Sequence, residues 1–202
     1  MSSSEQVLAE RSLHELLESV AEQTPAPGGG STAAVVGALA AGLVEMAAKF
    51  TIGRDEYAAL RGRMEEVRDS ACELRELLVA LGERELEAYA PVLDALRLDA
   101  ADPDRDARVR GALSAAALSP VEIARAARSV AELGAEVASG GNAHVAGDAI
   151  TGVLLAEAAC RAAGRLAEIN LARASSDPRL EEVAALARQA SAARTKALDG
   201  KS

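Results

Sequence analysis

The segment Thr24-Pro25-Ala26-Pro27-Gly28-Gly29-Gly30-Ser31 runs straight into Thr32-Ala33-Ala34-Val35-Val36-Gly37-Ala38-Leu39. Three consecutive glycines remove every Cβ from a short stretch of backbone. Ser31 or Thr32 then offers a hydroxyl placed to cap a helix. Free N–H groups at a helix N-terminus make a site for an anion or a carboxylate. The other reading is a tight turn that lets two helices pack, and spacing alone does not choose between them. The pattern is neither a Walker loop nor a dinucleotide fingerprint, because no strand precedes it and no GK[ST] follows.

Outward from this stretch the chain reads as one helix after another. Residues 5–23 are amphipathic, with Val7, Leu8, Leu13, Leu16, Leu17 and Val20 on one side. Ser31 to Thr51 is apolar nearly all round, which predicts the central buried helix. Within it Ala33, Gly37 and Ala41 recur every fourth residue and let another backbone approach closely. Glu45 and Lys49 stand one turn apart and can pair. After a break at Ile52–Asp55, the residues Tyr57, Leu60, Met64, Val67, Ala71, Leu74, Leu78 and Leu81 form a heptad seam. The seam is expected to stop at Leu81-Gly82, and its register continued further puts Glu85 on the same face. Asp99 to Asp106 reads as a charged linker, followed by a short helix to Leu118. Ser119-Pro120 reads as an N-cap and first helical residue. That helix runs to about Val137. Ser139-Gly140-Gly141-Asn142 is a second glycine break before a long helix to about Ala174, and Ser176-Asp177-Pro178 starts the last one.

Half of the 202 residues are hydrophobic, and alanine dominates. This predicts one all-α domain over residues 1–202, with 1–4 and 199–202 as disordered tails. A net charge of −9 argues against nucleic acid as a partner. Cys72 and Cys160 are isolated and read as buried, reduced thiols. Two distant histidines and no HExxH pattern argue against a metal site. The first residues lack a signal-peptide pattern, and the apolar run Ala33–Val44 falls short of the roughly 20 residues of a bilayer span. The expectation is a cytoplasmic protein with no membrane contact.

Three groups of residues could carry chemistry. Asp148 falls roughly opposite the polar face formed by Glu157, Arg161, Arg165 and Glu168, so it is expected on the apolar side, with His144 one turn earlier. A buried carboxylate beside a histidine can do proton transfer. The plain alternative is that Asp148 and Asn142 tie down the helix start and His144 lies on the surface. Among Glu83, Glu85 and Glu87, the seam position singles out Glu85 as an acid or base. Phe50, Tyr57 and Tyr89 are the three aromatic residues of the chain and so its stacking partners for any flat ligand.

At these residues the chain resembles the cyclodeaminase/cyclohydrolase family, which includes the C-terminal half of formiminotransferase-cyclodeaminase and the stand-alone methenyltetrahydrofolate cyclohydrolases. The resemblance rests on Pro25–Ser31, the helix Ala33–Met46, Thr51-Ile52-Gly53-Arg54, Ser119–Glu122, Gly141-Asn142 with Asp148, and Ile169-Asn170-Leu171. It covers roughly Leu13 to Leu171. It implies a bundle of long antiparallel helices that works as a homodimer, and a one-carbon tetrahydrofolate as substrate, handled without a metal. The implied reactions are hydrolysis of 5,10-methenyltetrahydrofolate to 10-formyltetrahydrofolate, or cyclisation of 5-formiminotetrahydrofolate with loss of ammonia. For the latter a separate formiminotransferase would load the substrate. The family usually has Asp-x-Asp and then Ala-Phe where this chain has Glu83-Arg84-Glu85 and then Ala88-Tyr89, and often Lys-Leu-Pro-Lys where it has Arg97-Leu98-Asp99-Ala100.

The resemblance then gives roles. Asp148 and Glu85 would transfer protons. Gly28, Gly29, Gly30 and Ser31 would anchor the ligand, with Tyr57 and Tyr89 as walls. Asn142 would orient the carboxylate or a water, with His144 near it, and Arg97 would meet the glutamate tail. Asn170 lies 22 residues beyond Asp148, about 33 Å along one helix, and is expected to be structural or to act across subunits. The competing readings are a repurposed or non-catalytic relative, and a purely structural dimer joined through the heptad seam.

Overall fold

The computed structural model describes residues 8–174 and 176–200. Its helices, in chain order, are α1 (Leu13–Ala21), α2 (Gly29–Ile52), α3 (Arg61–Ala88), α4 (Ala90–Leu96), α5 (Arg105–Ala116), α6 (Leu118–Gly140), α7 (Ala146–Asn170) and α8 (Pro178–Asp199). Three short 3-10 turns, Leu8–Glu10, Asp55–Leu60 and Ala143–Val145, sit between them. No strand occurs among the described residues. Of the expected tails, residues 1–4, 201 and 202 lie outside this description, whereas residues 199 and 200 are no tail: α8 runs through Asp199 and Gly200 caps it.

Small residues set the packing. Leu78 of α3 fills the space above Gly37 of α2, where an added Cβ would lie 3.2 Å from both of its methyls. Gly152 of α7 approaches the Ala40 carbonyl of α2, and Gly134 of α6 lies against Val153 and Val44. The core is therefore mostly alanine and valine, with α2 in contact with α3, α6 and α7, and with α8 laid over α6 and α7. The contacts fix directions. Gly30 of α2 meets Glu85 of α3, and Gly29 meets Leu166 of α7, so α3 and α7 run antiparallel to α2. Gly141, just after α6, meets Thr51 near the end of α2, so α6 runs parallel to α2.

The heptad seam is used inside the chain. Met64, Val67, Ala71, Leu78 and Leu81 are buried in the same core as α2. It does not form the exposed interface that a seam-joined structural dimer needs. The buried seam ends at Leu81-Gly82, while the helix itself continues to Ala88. Gly82 serves close approach: Leu8 packs there, 3.0 Å from where a Cβ would be.

Other expectations change at the helix ends. The first amphipathic segment breaks at Ser12, which caps α1 in a capping box with Glu15. The apolar side of α1, with Leu13 and Leu17, stays exposed. Helix α2 is not buried all round, because Leu39 is 62% and Phe50 54% exposed. By length and hydropathy, α2 and Ala143–Asn170 would each suit a bilayer, a match the short Ala33–Val44 run did not suggest. Both instead pack at the centre of the bundle. Cys160 is buried but Cys72 is only half-buried, and both are free thiols. The last helix starts at Ser176-Asp177-Pro178 as expected, with Asp177 as its cap: the carboxylate accepts from Arg179 N–H.

Candidate functional site

The glycine segment does its work inside a helix. Gly28 is the N-cap of α2, and Gly29 and Gly30 are already helical. Thr32 donates from N–H and from Oγ1 to the Gly28 carbonyl, closing the first turn. Ser31 is buried rather than capping, so the expected hydroxyl cap is absent. None of the described glycines has positive φ. The need for glycine at position 30 is steric: a Cβ there would overlap the carboxylate of Glu85. A glycine N-cap has no side chain to satisfy the first-turn N–H groups, so α2 begins without a side-chain cap.

Glu85 stands where α2, α3 and α6 meet. Burial pushes its carboxyl pKa up from the ordinary value, with the neighbouring Ser119 pulling slightly the other way. Oε1 of Glu85 and Oγ of Ser119 are both inaccessible and lack a geometrically sound hydrogen bond. Ser31 Oγ is in the same condition on the first turn of α2. Buried polar atoms nearly always find partners, so this end of the bundle holds unused hydrogen-bonding capacity. The neighbouring acids differ. Glu83 accepts from Ala9 N–H at 2.9 Å and fastens the N-terminal segment. Glu87 is exposed. In place of the expected Ser119 cap, α6 starts two residues earlier with Ala117 as its cap, which turns Ser119 inward.

Tyr89 follows the end of α3, four residues past Glu85, and Arg97 follows the end of α4. Tyr89 is 42% exposed. Arg97 is exposed and bonded to Asp94 at 2.9 Å. Asn170 ends α7, and its amide donates to the Ala116 carbonyl, a structural role.

The remaining candidates sit at the far end of α2. Asn142 is 2% exposed and fully engaged. Its N–H donates to Thr51 Oγ1 and its side-chain amide to the Phe50 carbonyl, while its Oδ1 accepts from His144 N–H. Ala143 N–H donates to Tyr57 Oη. Asn142 therefore ties the start of α7 to the end of α2, and these bonds give it a structural role there. His144 and Asp148 are exposed. The expectation that Asp148 is buried is overturned. Asp148 and Glu157 do lie on opposite sides of α7, but Glu157 is the buried one, 8% exposed and paired with Arg161. Alanines and glycines line nearly all of α7, so the polar and apolar faces differ little and the pattern pointed inward on the wrong side.

One protomer thus holds two clusters. Gly28–Ser31, Glu85, Ser119 and Tyr89 are at one end, and Tyr57, Asn142, His144 and Asp148 at the other, about 30 Å apart along α2. Between them on α2, sequence reading found the Glu45–Lys49 pair but not its third member. Glu45 is buried and accepts from Lys49 Nζ at 2.5 Å and from Arg75 Nε of α3 at 3.1 Å. No group of three or more metal-binding side chains occurs among the described residues.

Residues 12–189 match the family model of formiminotransferase-cyclodeaminase. The chain belongs to that family. Among members of the formiminotransferase-cyclodeaminase family, a methenyltetrahydrofolate cyclohydrolase of Methylorubrum extorquens is 33% identical over 184 residues, covering 87% of this chain and 88% of the relative. The formimidoyltransferase-cyclodeaminase of Mus musculus is 34% identical over 105 residues, which span 52% of this chain and 19% of that longer protein. The solved formiminotetrahydrofolate cyclodeaminase of Thermotoga maritima superposes with a TM-score of 0.84 at 26% identity, over 95% of this chain and 96% of that one.

Proposed function

We propose that this chain is a one-carbon tetrahydrofolate enzyme that hydrolyses 5,10-methenyltetrahydrofolate to 10-formyltetrahydrofolate. The observation that carries the reading is Glu85, a carboxyl group with raised proton affinity held against Gly30 beside the uncapped start of α2. Such a group suits both halves of the reaction. It accepts a proton from water as the water oxygen bonds to the methenyl carbon. It then returns a proton to N5 as the carbon–N5 bond breaks, and the other water proton leaves to solvent. The first-turn N–H groups of α2 face the oxygen that gains charge.

The same carboxyl group serves a second reading, suggested by the Thermotoga maritima likeness. There N10 attacks the formimino carbon, and the proton it loses is delivered to the departing ammonia. In that case a separate formiminotransferase supplies the substrate.

The working unit is a homodimer in this reading. Val35, Leu39, Leu43, Met46 and Phe50 recur at spacings of four, four, three and four on the outer face of α2, with Leu39 and Phe50 exposed and the other three half-buried. An apolar stripe of this length marks an interface. A two-fold axis near Leu39 lays two copies of α2 antiparallel. That pairing brings Gly28–Ser31 and Glu85 of one protomer to the Asp148 and His144 end of its partner. The two clusters then become one site, in which Asp148 acts as the second carboxylate. The free thiols support a cytoplasmic location.

The deciding measurement is loss of the near-ultraviolet absorbance of 5,10-methenyltetrahydrofolate against its spontaneous rate, beside ammonia release from 5-formiminotetrahydrofolate. Acceleration of the first supports the cyclohydrolase, and of the second the cyclodeaminase. No acceleration of either, with no substrate-induced rise in melting temperature, points to a repurposed relative.

A further inference from the structure

A groove of about 510 Å³ runs along α2 and α3, lined by Gly42, Glu45, Met46, Lys49, Phe50 and Arg75. Its single carboxylate, Glu45, is met by two cations, Lys49 and Arg75. The local balance is thus one positive charge in a chain whose net charge is −9. Glu45 is buried, whereas the Lys49 side chain is 58% and the Arg75 side chain 40% exposed, so both cations line the groove while still open to solvent. Arg75 is held further by its Nη2 contact with Cys72 Sγ at 3.4 Å. Glu45 therefore acts as an anchor that fixes two long side chains in place and lowers the entropy a ligand must remove. Beside them the Phe50 ring is 54% exposed, a flat apolar wall next to a cationic rim.

A flat aromatic ring joined to a carboxylate fits this pairing. Resting on the folate reading above, we infer that the groove takes the p-aminobenzoylglutamate portion of the substrate, with the ring on Phe50 and the glutamate carboxylates on Lys49 and Arg75. In this assignment Lys49 and Arg75 take the role that the resemblance gave to Arg97. In the antiparallel pairing of α2 helices, the groove opens beside the partner's glycine segment, so tail and reacting centre share one site.

The probe is p-aminobenzoyl-L-glutamate, titrated into the full-length protein and followed by amide chemical shifts. Saturable shifts are expected at Gly42, Met46, Lys49 and Phe50. Lys49→Gln should weaken the probe at least fivefold, and Phe50→Leu, which keeps apolar bulk but loses the ring, about threefold. Arg188→Gln on the distant α8 is the control and should change nothing. In turnover, Lys49→Gln should raise KM for 5,10-methenyltetrahydrofolate about tenfold with kcat within twofold. Absence of shifts, equal affinity in Lys49→Gln, or an effect that follows Arg97→Gln instead overturns the inference. Probe binding as expected in a protein that turns over neither folate counts against the enzymatic reading and leaves the groove assignment standing.

Discussion

The carboxylate of Glu85 occupies the volume that a side chain at Gly30 would need. Gly30→Ala should therefore force apart α2 and α3 or drive Glu85 out of its position. Overpacking of this kind costs about 1–3 kcal/mol. Urea unfolding should register that loss, and turnover should fall with it. Adding Glu85→Ala to Gly30→Ala should restore most of the stability and none of the activity.

Glu85→Gln separates chemistry from folding. Burial raises the pKa of Glu85 in the folded protein, so the native state holds its proton to higher pH than the unfolded chain does. Stability is then lost as pH rises through the window between the ordinary and the raised value. Glutamine has nothing to ionise. The variant should melt a few degrees above wild type at pH 8 and lose that advantage near pH 4, while kcat falls on the order of 100-fold. A melting-temperature difference independent of pH would show that Glu85 ionises as it would in water.

Asn142 and Asp148, six residues apart, should behave oppositely. Asn142→Ala strands the Phe50 carbonyl and the His144 N–H, at a cost of about 3 kcal/mol for two unsatisfied groups. Exposed Asp148→Asn should leave stability within about 0.5 kcal/mol yet reduce kcat on the order of 100-fold. Calorimetry and steady-state kinetics on the two variants test both statements.

A site shared between protomers permits complementation. Glu85→Gln and Asp148→Asn, each inactive alone, should regain activity when unfolded together and refolded as a mixture. Random pairing makes half of the dimers mixed, and each mixed dimer has one intact site, so about a quarter of wild-type activity should return. Leu39→Glu should convert the dimer to a monomer by light scattering and abolish turnover. Recovery of no activity from the mixed variants would place both carboxylates in one chain or remove one of them from the reaction.

Some of this was legible in the residues. Asp177-Pro178 marked the last helix because an aspartate cap and a proline act within one turn, and Glu85 stood out because a heptad register carries a carboxylate inward. Local chemistry decides both. Asp148 was misread because the choice between it and Glu157 rests on which side of an alanine-rich helix meets α2 and α6, and alanine leaves little contrast. Ser119 was hidden by a shift of two residues: as a cap it would face solvent, but inside the first turn of α6 it meets Glu85. Arg75 was invisible for a different reason, since its partner Glu45 lies 30 residues away on another helix.

The alanine and glycine core has a consequence for how this protein can change. Large side chains absorb a substitution by adopting new rotamers, but a methyl group has none to adopt. A misfit in the middle of α2 must then be answered by sliding whole helices, which displaces every residue at their tips. The interior is thereby closed to gradual variation. New specificity has room to arise at the helix ends and in the rim of Lys49 and Phe50, where long or exposed side chains can be exchanged without moving the frame.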